Sequence, residues 1–72
     1  MSVRLQQIVG WNVRDLRERQ GISMQEFSLM AGVSRQYLSH IEAGRANLTL
    51  KILDDLAQAL DVPAAELLRE SE

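Results

Sequence analysis

The chain has 72 residues, about half the length of a typical domain, so one small domain over residues 1–72 is expected. Hydrophobic residues make up 46% and charged residues 25%, the composition of a folded globular chain and not of a disordered one. Eight basic against ten acidic residues leave a formal charge of −2; there is no cysteine to form a disulfide, a thiol nucleophile or a zinc site, and His40 alone cannot supply nitrogen ligands for one. The first residues, Met1 to Gln7, lack the apolar core of a signal peptide. No run approaches the roughly 18 apolar residues of a membrane helix, so a cytoplasmic protein with no membrane partner and no cofactor is expected.

Five helical segments are predicted, with no alternating pattern that would make a strand, so the fold class is all-α. The first runs from about Val3 to Gln20, with Leu5, Val9, Val13 and Leu16 as its apolar stripe and Gly21 as its terminator. Ser23-Met24-Gln25-Glu26 fits a capping box, serine at the cap and glutamate reaching back. The second helix, Met24 to Met30 or Ala31, turns Phe27 and Met30 or Ala31 inward, and Met24, Phe27 and Met30 are expected in the core. After a turn at Ala31-Gly32-Val33, Ser34 caps a third helix from Arg35 to Ala43, closed by Gly44. The loop Arg45-Ala46-Asn47-Leu48 leads to Thr49, which caps a fourth helix from Leu50 to Leu60. Asp61-Val62-Pro63 ends that helix, and Pro63 at the first helical position is expected to start a short fifth one through Leu67 and Leu68. Trp11 lies off the main stripe of the first helix, beside Ile8 and Asp15, placed to cover the fifth helix or a partner.

The charges are unevenly spread. Residues 1–51 hold Arg4, Arg14, Arg17, Arg19, Arg35, Arg45 and Lys51 against Asp15, Glu18, Glu26 and Glu42. Residues 52–72 hold Arg69 alone against Asp54, Asp55, Asp61, Glu66, Glu70 and Glu72. Such a split describes either scattered surface charge or a basic face with an acidic back that would orient the molecule on a polyanion.

Two short helices joined by a glycine-containing turn, over about residues 24–43, describe a helix-turn-helix, and also many αα-corners without a DNA role. The third helix separates the two. Val33, Leu38 and Ile41 fall on its inner face; Ser34, Arg35, Gln36, Ser39 and His40 fall on its outer face. Arginine can fork onto guanine O6 and N7, and glutamine onto adenine N6 and N7, so this face carries a base-reading set of side chains. His40 has no partners for a metal site and fits a base or phosphate contact, or plain solvent exposure.

Gly21-Ile22-Ser23, Gly32-Val33-Ser34, Tyr37-Leu38-Ser39, Ile41-Glu42-Ala43-Gly44 and Asn47-Leu48-Thr49-Leu50, followed by Leu53, Leu56-Ala57, Ala59-Leu60 and Val62, resemble the Cro/C1-type (XRE-like) helix-turn-helix family. The resemblance spans about Ile8 to Leu68 and implies a five-helix, lambda-repressor-like domain. It implies that the third helix enters the major groove with Arg35, Gln36, Ser39 and His40 nearest the bases. Ser34, Tyr37, Arg45 and Asn47 would lie on the sugar-phosphate backbone or in the adjoining loop contact, with the Tyr37 ring over Val33 and its hydroxyl on a phosphate. Arg17 and Glu42 stand where relatives form a structural salt bridge between the first and third helices. Two positions depart from the pattern: Met24 stands where a glutamine is usual, and Ser28 where a small alanine is usual; a serine there can bond back to a backbone carbonyl.

The function implied is that of a sequence-specific regulator of transcription, with double-stranded DNA and a second copy of the chain as partners, blocking or recruiting polymerase by occupancy. The family includes phage-type repressors, antitoxins and small controller proteins of restriction–modification systems, and the Asn47-Leu48-Thr49-Leu50-Lys51 run is similar to the controllers. Ile52, Ala59, Leu67 and Leu68 are the expected homodimer interface, which would place two recognition helices roughly 34 Å apart on a pseudo-palindrome. The rival reading is an interaction module that holds a protein partner, a polymerase or a toxin, through the acidic segment 52–72. An enzyme is not expected, since no nucleophile–base pair, phosphate loop or metal cluster can be read in the sequence.

Overall fold

Helix caps divide the chain. The structure, a computed structural model, describes residues 3–70 and contains α1 (Val3–Arg19), α2 (Met24–Ala31), α3 (Arg35–Glu42), α4 (Leu50–Leu60) and a 3-10 turn (Ala64–Leu68). The first N–H groups of a helix have no partner within it. Ser23 accepts from the Glu26 N–H at 3.0 Å while the Glu26 carboxylate accepts from the Ser23 N–H at 3.4 Å. Ser34 and Thr49 accept from the N–H groups of Tyr37 and Ile52 at 3.0 and 3.1 Å. Each cap is worth about 1 kcal/mol, enough to fix where helices this short begin. Between α2 and α3, Gly32 takes φ 73°, a left-handed conformation that a Cβ would strain, and the Val33 N–H closes onto the Ser28 carbonyl at 3.0 Å.

The core is one cluster. Val9 and Val13 of α1, Phe27 and Ala31 of α2, Leu38 and Ile41 of α3, Leu56, Ala57 and Leu60 of α4, Ala46 of the loop and Leu67 of the 3-10 turn are its buried members. α1 lies across α3 and the 3-10 turn, while α2 packs against both α3 and α4. Asn12 of α1 donates from Nδ2 to the carbonyls of Leu67 and Arg69 at 2.9 and 2.8 Å, which fastens the chain after α4 back onto α1.

Several expectations change. The fifth segment is a 3-10 turn, not an α-helix, and Pro63 precedes it with an extended ψ of 146° instead of opening it. Five residues are too few for an α-helix to recover its nucleation cost. Ala31, one position past Met30, takes the inward place four residues after Phe27, so Met30 is 54% exposed and outside the core. Met24 and Val33 are half-buried at its edge. Leu5 begins the stripe of α1 but is 47% exposed, lining a surface groove instead.

The α1 backbone comes close to that of α3 at Gly10. A Cβ built there would overlap the carbonyl oxygen of Ile41 and stand 3.1 Å from the carbonyl oxygen of Glu42, both backbone atoms that cannot swing aside. Gly10→Ala should therefore destabilise the protein by about 2 kcal/mol or more, although alanine is the better helix former. Urea unfolding followed by circular dichroism measures this, and a neutral or stabilising outcome would mean that the helices can part at no cost.

Candidate nucleic-acid interface

The orientation of α3 is set from beneath by Arg17. Its Nε and one terminal nitrogen donate to the two carboxylate oxygens of Glu42 at 2.7 and 3.1 Å, and its other terminal nitrogen donates to the Ile22 carbonyl at 2.8 Å. The two side chains are only 10% and 8% exposed, and the Glu18 carboxylate lies at 3.9 Å from the guanidinium. The Glu42 hydrogen bond raises the Arg17 pKa above its ordinary value; burial opposes this, and the charges of Glu42 and Glu18 add to it. A raised arginine pKa contributes to stability at every pH below the arginine range and is lost only above it, so this guanidinium stays charged throughout the neutral range. The fork ties the end of α3 to α1 and to the α1–α2 connection just before the Ser23 cap.

With Leu38 and Ile41 buried and Glu42 drawn inward, Arg35, Gln36, Ser39 and His40 all stand exposed on the outer face of α3. None of these four side chains has a hydrogen-bond or ion-pair partner among the described residues. Ser34 spends its oxygen lone pair on the Tyr37 N–H and keeps its hydroxyl proton for an outside acceptor.

The loop after α3 is fastened rather than loose. Ala46 is buried, the Tyr37 hydroxyl donates to the Asn47 carbonyl at 3.0 Å, and Gln6 of α1 donates from Nε2 to Asn47 Oδ1 at 2.6 Å. A phosphate oxygen only accepts, and the single phenolic proton of Tyr37 is already committed to Asn47, so in this structure Tyr37 ties α3 to the loop. Arg45 projects from this loop, exposed.

Ion pairing divides the cations. Arg4 pairs with Glu70, Arg14 with Glu18, Arg17 with Glu42, Arg19 with Asp15, Lys51 with Asp55 and Arg69 with Glu66. Among the described residues, the cations left without a carboxylate are Arg35 and Arg45, at the start of α3 and in the loop beyond its end. The uncompensated positive charge of the fold thus brackets the outer face of α3.

Of the residues expected at a dimer interface, Leu67 is withdrawn from the surface. Leu67 is fully buried in the core, because the 3-10 turn packs that side chain against α1 and α4. Ile52 is half-buried against the core. Ala59 lines a hollow with Leu29 and Met30 of α2, while Leu68 lines a different groove with Leu5, Leu48, Leu50 and Leu53. Trp11, 52% exposed, sits with Arg4, Ile8, Arg69 and Glu70 where the chain after the 3-10 turn crosses α1. Ser28, as its position suggests, is buried and donates to the Gln25 carbonyl at 2.8 Å.

A family model described as helix-turn-helix matches residues 13–67. The chain belongs to this family, in its Cro/C1-type (XRE-like) form. An uncharacterized HTH-type transcriptional regulator, y4dJ, of Sinorhizobium fredii is 40% identical over 68 residues, 94% of this chain and 88% of that protein. Among solved structures, the restriction–modification controller protein C.AhdI from Aeromonas hydrophila superposes with a TM-score of 0.82 at 32% identity, covering 86% of this chain and 94% of that one. The biofilm master regulator SinR, solved in complex with DNA, superposes with a TM-score of 0.79 at 32% identity, covering 85% and 98%.

Arg17→Ala leaves the Glu42 carboxylate desolvated and unpaired, and should cost about 3 kcal/mol of stability. Glu42→Ala should cost a similar amount, and the double variant much less than the sum. Denaturant melts of the three variants measure the coupling; additivity would mean the fork does not hold α3.

Proposed function

We propose that this protein is a sequence-specific, duplex-DNA-binding regulator of transcription that acts as a homodimer on a pseudo-palindromic operator. The observation that carries the reading is the pairing pattern. Six described cations are neutralised by carboxylates, and the two that are not stand at either end of a strip of exposed donor side chains. A duplex supplies what that strip lacks, phosphates for the charges and base edges for the donors. Arg35, Gln36, Ser39 and His40 read bases in the major groove; Ser34, Arg45 and Asn47 hold the backbone, with Tyr37 keeping the loop in place. The SinR structure in complex with DNA and the regulators among the relatives support the same reading. Binding takes place in the cytoplasm, where duplex DNA is.

The second copy is argued from size and apolar surface. The molecule measures 28 × 22 × 19 Å, less than one turn of duplex along any axis, so one copy reads one half-site. Leu50 and Leu68, 85% and 45% exposed, rim the groove they share with Leu5, Leu48 and Leu53. Leucine exposed to this extent on so small a fold is stabilised by burial against an equivalent face. The other reading, a protein-interaction module for a polymerase or a toxin, has one observation in its favour: Leu29 and Met30 are exposed together on α2, opposite Asp55 and Gln58 of α4.

Arg35→Ala should weaken the best site by about 1–3 kcal/mol and relax preference at one base position, as loss of a forked guanine contact does. Arg45→Ala should weaken binding to all duplexes alike and lower the salt slope by about one unit. Fluorescence anisotropy across a salt series separates the two, and identical behaviour of both variants would remove the distinction between reading and anchoring. Leu68→Glu should turn the dimer into a monomer in sedimentation while circular dichroism keeps its helical signal. A wild type that sediments at the 8.1 kDa monomer mass at micromolar concentration would rule out a preformed dimer.

A further inference from the structure

Met24 is the first residue of α2, directly after the cap Ser23. Part of its half-buried side chain packs against the core. The rest lines a shallow hollow whose other walls are Arg35, Gln36 and Ser39. Three of the four walls are thus the side chains read above as base contacts, and the fourth is an unbranched thioether with no strong donor or acceptor. Such a side chain can neither hold a phosphate by charge nor fork onto a base by hydrogen bonds. In the major groove one group offered by the four base pairs is apolar: the C5-methyl of thymine. An apolar wall set among donors is the chemistry that tells thymine from cytosine on the pyrimidine strand, a distinction that arginine and glutamine on the purine strand make only indirectly.

We propose that Met24 is a specificity-determining residue of the DNA-reading face, and that the hollow it forms with Arg35, Gln36 and Ser39 takes a thymine methyl from a base pair adjoining the one read by Gln36 or Arg35. This rests on the DNA-reading function proposed above and adds to it a defined base and a defined atom. It also gives the α2 start a direct part in sequence choice, beside its part in supporting α3. The hollow is shallow and open, sized for the edge of a base and not for a free ligand that must be enclosed.

The test uses the full chain and its own best duplex, found by selection from random sequences at fixed salt. Each thymine of that duplex is then replaced singly by uracil, which removes only the methyl. At one thymine or more the wild type should lose about four-fold in affinity, the factor that burying one carbon supplies. In Met24→Ala the same replacement should cost nothing, while uracil at other positions costs what it did before. Because Met24 also touches the core, Met24→Leu and Met24→Gln are measured alongside: leucine should keep the methyl dependence and glutamine should lose it, both with an unchanged melting temperature. Equal uracil penalties in the wild type and in Met24→Gln, on a duplex both bind specifically, would overturn the proposal alone. A wild type that selects no sequence would overturn the DNA-reading function and this subsite with it.

Discussion

The placement of α3 depends on a guanidinium that has been taken out of water. Arg17 is costly to bury, and the structure offsets the cost with two hydrogen bonds to Glu42 and one to the Ile22 carbonyl. The same contact explains the electrostatics of the outer face. Glu42 is the only carboxylate of α3, and because Arg17 draws it inward the exposed side of that helix carries no negative charge. A packing device between α1 and α3 thereby also clears a surface for a polyanion. Gly10 serves the same seam one helical stretch earlier, letting the backbones touch where a side chain would hold them apart.

From this seam the remaining parts follow in order. Ser34 starts α3 at a fixed residue, the Gly32 turn sets its distance from α2, and Tyr37 carries its position on to the loop that bears Arg45. The side chains proposed to read bases and the one proposed to anchor the backbone are therefore held by one frame of short contacts. Preorganisation of this kind lowers the ordering cost of binding, since less freedom remains to be lost when a duplex arrives.

Much of this was legible in the sequence. The N-caps Ser23, Ser34 and Thr49 and the left-handed Gly32 stand where the sequence places them, because such residues act through their nearest neighbours, whereas α3 is capped at Ala43, one residue before Gly44. The outer strip of α3 was legible for the same reason, helical spacing around Leu38 and Ile41. Where sequence and structure differ, the difference depends on third partners. Leu67, expected at the homodimer interface, is carried into the core by the 3-10 turn that Asn12 ties down. Met30 and Ala31 differ by one position of helical phase, which sequence spacing alone does not resolve and packing against α4 does. Gly10 carries a signal of its own: a glycine inside a long helix costs about 1 kcal/mol and so points to a close neighbour. Gln6 and Ala46, which secure the loop, carry no pattern of their own.

The central claim is that the outer face of α3 reads the sequence of a duplex, and selection from a pool of random duplexes at physiological salt tests it most directly. The expected result is one enriched motif, an inverted repeat with half-sites about one helical turn apart, bound at least about 1,000-fold more tightly than unselected DNA. No enrichment after repeated rounds, or equal affinity for selected and random duplexes, would contradict it.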